Sequence, residues 1–255
     1  MLSHWTLLIA AAFAAGVLNA IAGGGSFLTF PALVFTGMAP ITANATSAVA
    51  VSPGYLGSAL GFRAELAQLP LQRRVREALI CAAGGVSGAL LLLVTPAKVF
   101  SAVVPWLLLF ATVLFALGPR LLAARAQRAA RNGTSAEPHP LARALGLLAV
   151  AVYGGYFNGG LGILLMALYT LTGETHLNTA NALKNLNSLV LSLLSVAAFA
   201  WAGAIAWPQA LVMAVAATLG GFFGAQLARR LPAAGVRMAV VITGVVMAAG
   251  FFARG

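Results

Sequence analysis

The sequence predicts an all-α polytopic membrane protein made of two inverted-topology repeats. Each repeat is a Gly-broken helix or re-entrant hairpin plus three spans, giving about eight to ten membrane segments. Three observations predict it. Of 255 residues, 61% are hydrophobic and 7% charged, with a mean hydropathy of +0.97; a soluble domain carries about 25% charged residues. Apolar segments follow one another at 5–22, 24–37, 41–62, 78–97, 99–118, 142–157, 160–172, 177–202, 209–228 and 236–253. The second half also copies the first. Thr42-Ala-Asn44-Ala45 returns as Thr179-Ala-Asn181-Ala182, Gly84-Gly85-Val-Ser-Gly88 as Gly220-Gly221-Phe-Phe-Gly224, and Pro96-Ala97 as Pro232-Ala233, always 136–137 residues later.

The first segment resembles a signal peptide in hydropathy. It lacks a basic start and equally apolar segments follow, so it reads as a retained span. Segments 24–37 and 160–172 are shorter than the about 20 residues a span needs. Each follows a glycine cluster, Gly23-Gly24-Gly25-Ser26 in one half and Asn158-Gly159-Gly160-Leu161-Gly162 in the other. In lipid, the backbone groups freed at such a break must line a cavity or be buried in protein. The following half-helix then points exposed N–H groups and a positive dipole end at the cavity, which suits an anion. The bland alternative is that the glycines permit close helix packing, and Gly84xxxGly88 and Gly220xxxGly224 are assigned to that role.

Residues 119–141 form a basic linker with Arg120, Arg125, Arg128 and Arg131. It is expected to be helical at its start and loose later, and it divides the chain into repeats 1–118 and 142–255. The sequon Asn132-Gly-Thr134 is read as coincidental.

Charge fixes the orientation. Arg63, Arg73, Arg74 and Arg76 follow the third segment, whereas the equivalent stretch 203–208 has no charge. The Pro96 turn carries only Lys98, while the Pro232 turn carries Arg229, Arg230 and Arg237. The basic side has switched. The positive-inside rule then runs the halves in opposite directions, with the loops 63–77, 119–141 and 229–237 cytoplasmic. The formal charge of +11 therefore points to lipid head groups rather than nucleic acid. The acidic residues are Glu65, Glu77, Glu137 and Glu174, all placed in loops or at span ends, so no carboxylate is expected deep in the membrane. Trp5, Trp106, Trp201 and Trp207 are placed near span ends as interfacial anchors. Cys81 is the only cysteine and reads as a small buried apolar residue. His4, His139 and His176 are scattered, and no metal or other cofactor is expected.

One lysine, Lys184, lies within the otherwise uncharged stretch Leu177–Trp201. A charge at that depth costs about 2.5–3.5 kcal/mol on insertion scales and needs a partner, cavity or substrate. Asn181, Lys184, Asn185, Ser188, Ser192 and Ser195 form one helical stripe. Its serines read as helix–helix glue, and Lys184 as a substrate or gating contact. In the first repeat Asn44, Thr46 and Ser47 open the equivalent span. The candidate substrate-binding set is Lys184, Asn181, Asn185, Asn44, Ser47, Gly23, Gly24, Gly25, Ser26, Asn158, Gly160 and Gly162. His176, beside Glu174, reads as part of a solvated turn, with proton coupling as the sharper alternative.

Gly16-Val-Leu-Asn-Ala-Ile-Ala-Gly-Gly-Gly-Ser-Phe27 followed by Pro31 resembles the first repeat of the sulfite exporter TauE/SafE family, also called the toluene sulfonate uptake permease family. Tyr153-Gly-Gly-Tyr-Phe-Asn-Gly-Gly-Leu-Gly-Ile163 and Asn181-Ala-Leu-Lys-Asn185 resemble its second repeat. Ser26 stands where many members carry a further glycine. The resemblance covers nearly the whole chain outside the linker. It implies a transporter of small anions, often sulfite, sulfonates or sulfoacetate, or organic carboxylates, in a bacterial-type inner membrane.

The function expected is secondary transport of a small anion by alternating access, with no catalytic residues. An anion channel with the same pocket is the first rival, and a membrane enzyme or structural subunit the second. An inside-negative potential favours anion exit by about 2.3 kcal/mol per charge per 100 mV, which points to export, or to coupling through backbone carbonyls or His176.

Overall fold

The computed structural model describes residues 2–21, 24–132, 140–174, 176–227 and 233–254. Within them the chain is helical: α1 Leu2–Ile21, α2 Ser26–Phe35, α3 Pro40–Gly61, α4 Arg63–Gln68, α5 Leu71–Val94, α6 Ala97–Asn132, α7 Pro140–Tyr156, α8 Leu161–Leu171, α9 Leu177–Trp201, α10 Trp207–Leu227 and α11 Ala233–Arg254. Among the described residues three stretches are long and apolar enough to cross a membrane, Leu71–Val94, Ala97–Leu114 and Asn178–Trp201. Gly23, the later part of the linker with Pro138, Thr175, and Arg229 to Pro232 lie outside the described residues.

Both short segments are second arms of hairpins. The start of α1 (His4, Leu8), the end of α2 (Thr36, Gly37) and the start of α10 (Gln209) line one cavity of about 290 Å³. The start of α7 (Arg143, Ala144), the end of α8 (Thr172, Gly173) and the first turns of α5 (Arg73, Glu77) line another of about 560 Å³. Each broken segment therefore returns to the end it came from. α3 separates the two ends: its 22 residues rise about 33 Å from the Gly37 turn toward α4 and α5.

The outer turns of the hairpins are built alike. The amides of Gly37 and Met38 donate to the carbonyls of Val34 and Leu33, and those of Gly173 and Glu174 to Thr170 and Tyr169. This is the Schellman pattern, and its left-handed position needs glycine; φ is +91° at Gly37 and +86° at Gly173.

Close crossings tie the bundle together. α1 packs along α10 and α5 along α7, α3 faces α9, and α6 faces α11. At the α5–α7 crossing, a Cβ on Gly88 would strike the Val152 carbonyl and a Cβ on Gly84 the Ala151 methyl. At the α1–α10 crossing, a Cβ on Gly220 would strike the Phe13 carbonyl. Gly84, Gly88 and Gly220 thus have the packing role expected of them.

Two expectations fail. The segment 63–77, expected as a loop, is helical as α4 and the first turns of α5. Its arginines lower hydropathy without opposing helix formation, because Arg and Glu are good helix formers. Trp106, expected near a span end, is the tenth residue of α6, is 63% exposed and lies edge-on to Phe252 at 5.1 Å. Cys81 is fully buried, as expected.

Candidate substrate site

The two glycine breaks meet. Ser26, at the start of α2, donates its hydroxyl to the Asn158 carbonyl at 2.9 Å. A Cβ on Gly24 would touch Phe27 and Ile163, and one on Gly160 would touch Ala111 and Phe27. Both glycines are left-handed, with φ +113° and +79°, a conformation that other residues adopt only with strain.

Side chains from elsewhere hold the breaks open. Asn19, four residues before the start of the first glycine run, accepts the amides of Gly24 and Gly25 at 2.9 and 2.7 Å. Tyr153 donates to the Gly159 carbonyl at 2.8 Å and Tyr55 to Asn158 Oδ1 at 3.4 Å. Asn44 donates its amide to the Tyr156 carbonyl at the end of α7, 3.1 Å away. Thr29 and Ser47 share a hydrogen bond of 2.6 Å. Freed backbone groups are thus satisfied from within the protein, as an apolar surround demands. Neither half-helix has a side-chain cap from its N-cap residue; most of their first-turn amides turn back on the break itself, Phe27 and Leu28 on the Gly24 and Gly25 carbonyls and Leu161 and Ile163 on those of Asn158 and Gly160.

Gly24, Gly25, Ser26, Asn44, Ser47, Asn158 and Gly160 belong to this meeting point, and Gly162 is buried in the first turn of α8. Lys184 and its neighbours approach from α9. Lys184 Nζ donates to Asn181 Oδ1 at 3.2 Å, one turn earlier. Seven residues from the start of α9, it lies about 10 Å along that helix. Among the described residues no hydrogen bond joins it to either break. Asn185 is buried, and the stripe continues inward through Ser188, Ser192 and Ser195. Ser192 bonds Ser52 of α3 at 2.7 Å, and Ser195 donates to the Gly85 carbonyl of α5 at 3.1 Å, which is the glue role expected of them. Ser188 Oγ and Asn187 Oδ1 are buried without hydrogen-bond partners.

A second polar cluster was not anticipated. Glu77, expected in a loop or at a span end, is two turns inside α5 and only 5% exposed. Arg73 Nε lies 3.3 Å and Arg143 Nη2 2.9 Å from its Oε1. The Tyr169 hydroxyl donates to Oε2 at 2.9 Å, and Asn187 reaches both Oε2, at 3.4 Å, and Tyr169. Arg73 Nη2 also pairs with Glu174 at 2.6 Å. Burial is possible because two guanidiniums and two neutral donors replace the water the carboxylate loses. Arg73 is on α5 itself, but the other three partners come from α7, α8 and α9, so hydropathy alone could not locate the group. His176 is exposed just before α9, as expected of a solvated turn. Among the described residues no three His, Cys, Asp or Glu side chains gather as a metal site.

A family model described as sulfite exporter TauE/SafE matches residues 8–251. A "Probable membrane transporter protein ORF9" of Sinorhizobium sp is 31% identical over 229 residues, covering 88% of this chain and 81% of that protein. The "Probable membrane transporter protein YfcA" of Escherichia coli K12 is 30% identical over 251 residues, covering 95% and 87%. A "Probable membrane transporter protein" of Haemophilus influenzae is 31% identical over 250 residues, covering 95% and 92%. No solved structure matches.

Proposed function

This chain belongs to the sulfite exporter TauE/SafE family, and from that premise we propose that it moves a small anion, a sulfur-containing oxyanion or organosulfonate, across the cell inner membrane by alternating access. It is a membrane transporter of the TauE/SafE type; the anion and the mechanism are the inference. The observation that carries it is the hydrogen bond between the two breaks. α2 has 10 residues and α8 has 11, so from opposite ends they reach inward about 15 and 16 Å. Together they match the about 30 Å of a bilayer's hydrocarbon core. The breaks then lie at mid-depth, where inverted-repeat transporters bind substrate.

The pairing of helices supports two inverted repeats. Exchanging the halves turns α1 on α10 into α7 on α5, and returns α3 on α9 and α6 on α11 to themselves. Residues 24–27 and 157–162 are all buried, which supports a closed carrier rather than an open pore. The buried, unpartnered Ser188 Oγ can donate to an oxyanion and the unpartnered Asn187 Oδ1 can accept from its water, since such groups are rarely left unsatisfied. Lys184 supplies positive charge, with Asn181 and Asn185 as amide donors. Arg73, Arg143 and the linker mark the cytoplasmic end.

The test is flux of sulfite, methanesulfonate and acetate into proteoliposomes of the purified chain. Lys184→Ala is expected to abolish saturable flux while the folded protein remains in the membrane. Unchanged rate and KM would remove Lys184 from the mechanism, and no flux of any of these anions in the parent would remove the reading.

A further inference from the structure

The 560 Å³ cavity lies at the mouth of the second hairpin, away from the breaks, and its lining is charged. Three guanidiniums, Arg73, Arg76 and Arg143, face it together with two carboxylates, Glu77 and Glu174, a surplus of one positive charge. The N-terminus of α5 also ends there with no side-chain cap, adding a positive dipole end. Arg143 Nε is buried without a hydrogen-bond partner. The matching cavity at the other end is lined by His4, Trp5, Leu8, Thr36, Gly37, Met38 and Gln209, with no Lys, Arg, Asp or Glu among them. The molecule is therefore polarised: one mouth is built for negative charge and the other is not.

The two carboxylates are held differently. Glu77 is fixed by four partners on four helices. Glu174 follows the Gly173 turn and pairs with Arg73 Nη2 at 2.6 Å. A carboxylate at that place marks where an oxyanion fits a guanidinium, and it is tethered by a turn rather than by a helix. We propose that this mouth is a second anion site, at which a free carboxylate or sulfonate takes the place of Glu174 on Arg73 and loads the carrier from the cytoplasmic end. This rests on the transport reading for its purpose, but the site stands on the cavity and its charges. Glu174 acts as a built-in competitor: it keeps Arg73 paired when the mouth is empty and swings clear when an anion arrives.

The experiment places a cysteine at the rim, Gln72→Cys, in a Cys81→Ala background. Its reaction with sulfonatoethyl methanethiosulfonate (anionic) and with the trimethylammonium-ethyl analogue (cationic) is then timed on the full chain in detergent. The anionic reagent should react faster. Glu174→Gln should raise the anionic-to-cationic rate ratio about three- to tenfold, as removal of one nearby charge does at intermediate dielectric, and Arg73→Gln should lower it comparably. Methanesulfonate should protect the cysteine in the parent and in Lys184→Ala, at about tenfold lower concentration in Glu174→Gln. Arg73→Gln should lose that protection, and Arg73→Lys should retain part of it. A ratio indifferent to Glu174→Gln overturns the proposal, as does protection lost equally in Arg73→Gln and Lys184→Ala. Flux in proteoliposomes without any protection overturns this site alone, whereas protection without flux supports it and overturns the transport reading instead.

Discussion

Replacing Glu77 with glutamine removes one charge and little volume, so its cost is mostly electrostatic. Arg73 would keep Glu174 as a partner at 2.6 Å, but Arg143 would lose the carboxylate 2.9 Å away. Removing one partner of a buried pair costs about 3–5 kcal/mol. The Arg143 side chain is 19% exposed, and water reaching it reduces this to about 2–3 kcal/mol. Tyr169 and Asn187 both donate to Oε2, and a neutral amide can accept from only one side, which adds about 1 kcal/mol. The expected loss is about 3–4 kcal/mol. Unfolding in mixed micelles titrated with sodium dodecyl sulfate measures it, with Glu65→Gln on α4 as a control expected within about 0.5 kcal/mol of the parent. A Glu77→Gln protein as stable as that control would refute the idea that this carboxylate joins four helices.

The remaining expectations concern packing and sidedness. Gly88→Ala drives a methyl into the Val152 carbonyl and should cost about 1–3 kcal/mol. Gly57→Ala, which meets nothing within 4 Å, should gain up to about 1 kcal/mol from helix propensity; thermal unfolding in detergent compares them, and equal shifts would count against the close crossing. In oriented vesicles, Gln72→Cys should be labelled only from the cytoplasm and Gln209→Cys only from outside by membrane-impermeant reagents. Labelling of both from one side would reverse the account of the hairpins.

Much of the fold could be read from local text. The glycine clusters mark both breaks, and the short apolar runs after them are α2 and α8 to within two residues. The stripe on α9 faces inward because lipid cannot satisfy serines and asparagines. What escaped were groups whose meaning depends on distant partners. Glu77 looks like a loop residue until Arg143, Tyr169 and Asn187 are folded against it. Tyr55 and Tyr153 look like ordinary membrane tyrosines until their hydroxyls are seen to hold Asn158 and Gly159. Asn19 did carry a signal, a lone amide in an apolar run just before Gly23, but a break-holding role needs the hairpin geometry to be visible. The charge asymmetry between the two mouths was hidden for the same reason, since each mouth is assembled from three separate segments.

The pairing of α1 with α10 has a consequence for biosynthesis. About 190 residues separate the end of the one from the start of the other, so at roughly 5–20 residues per second the first helix waits about 10–40 s for its neighbour to leave the ribosome. During that interval the amides of Gly24 and Gly25 have no help from the second half. Asn19, made only moments before them, is the nearest group able to shelter them, and it allows the nascent hairpin to sit in the bilayer until the rest of the chain arrives.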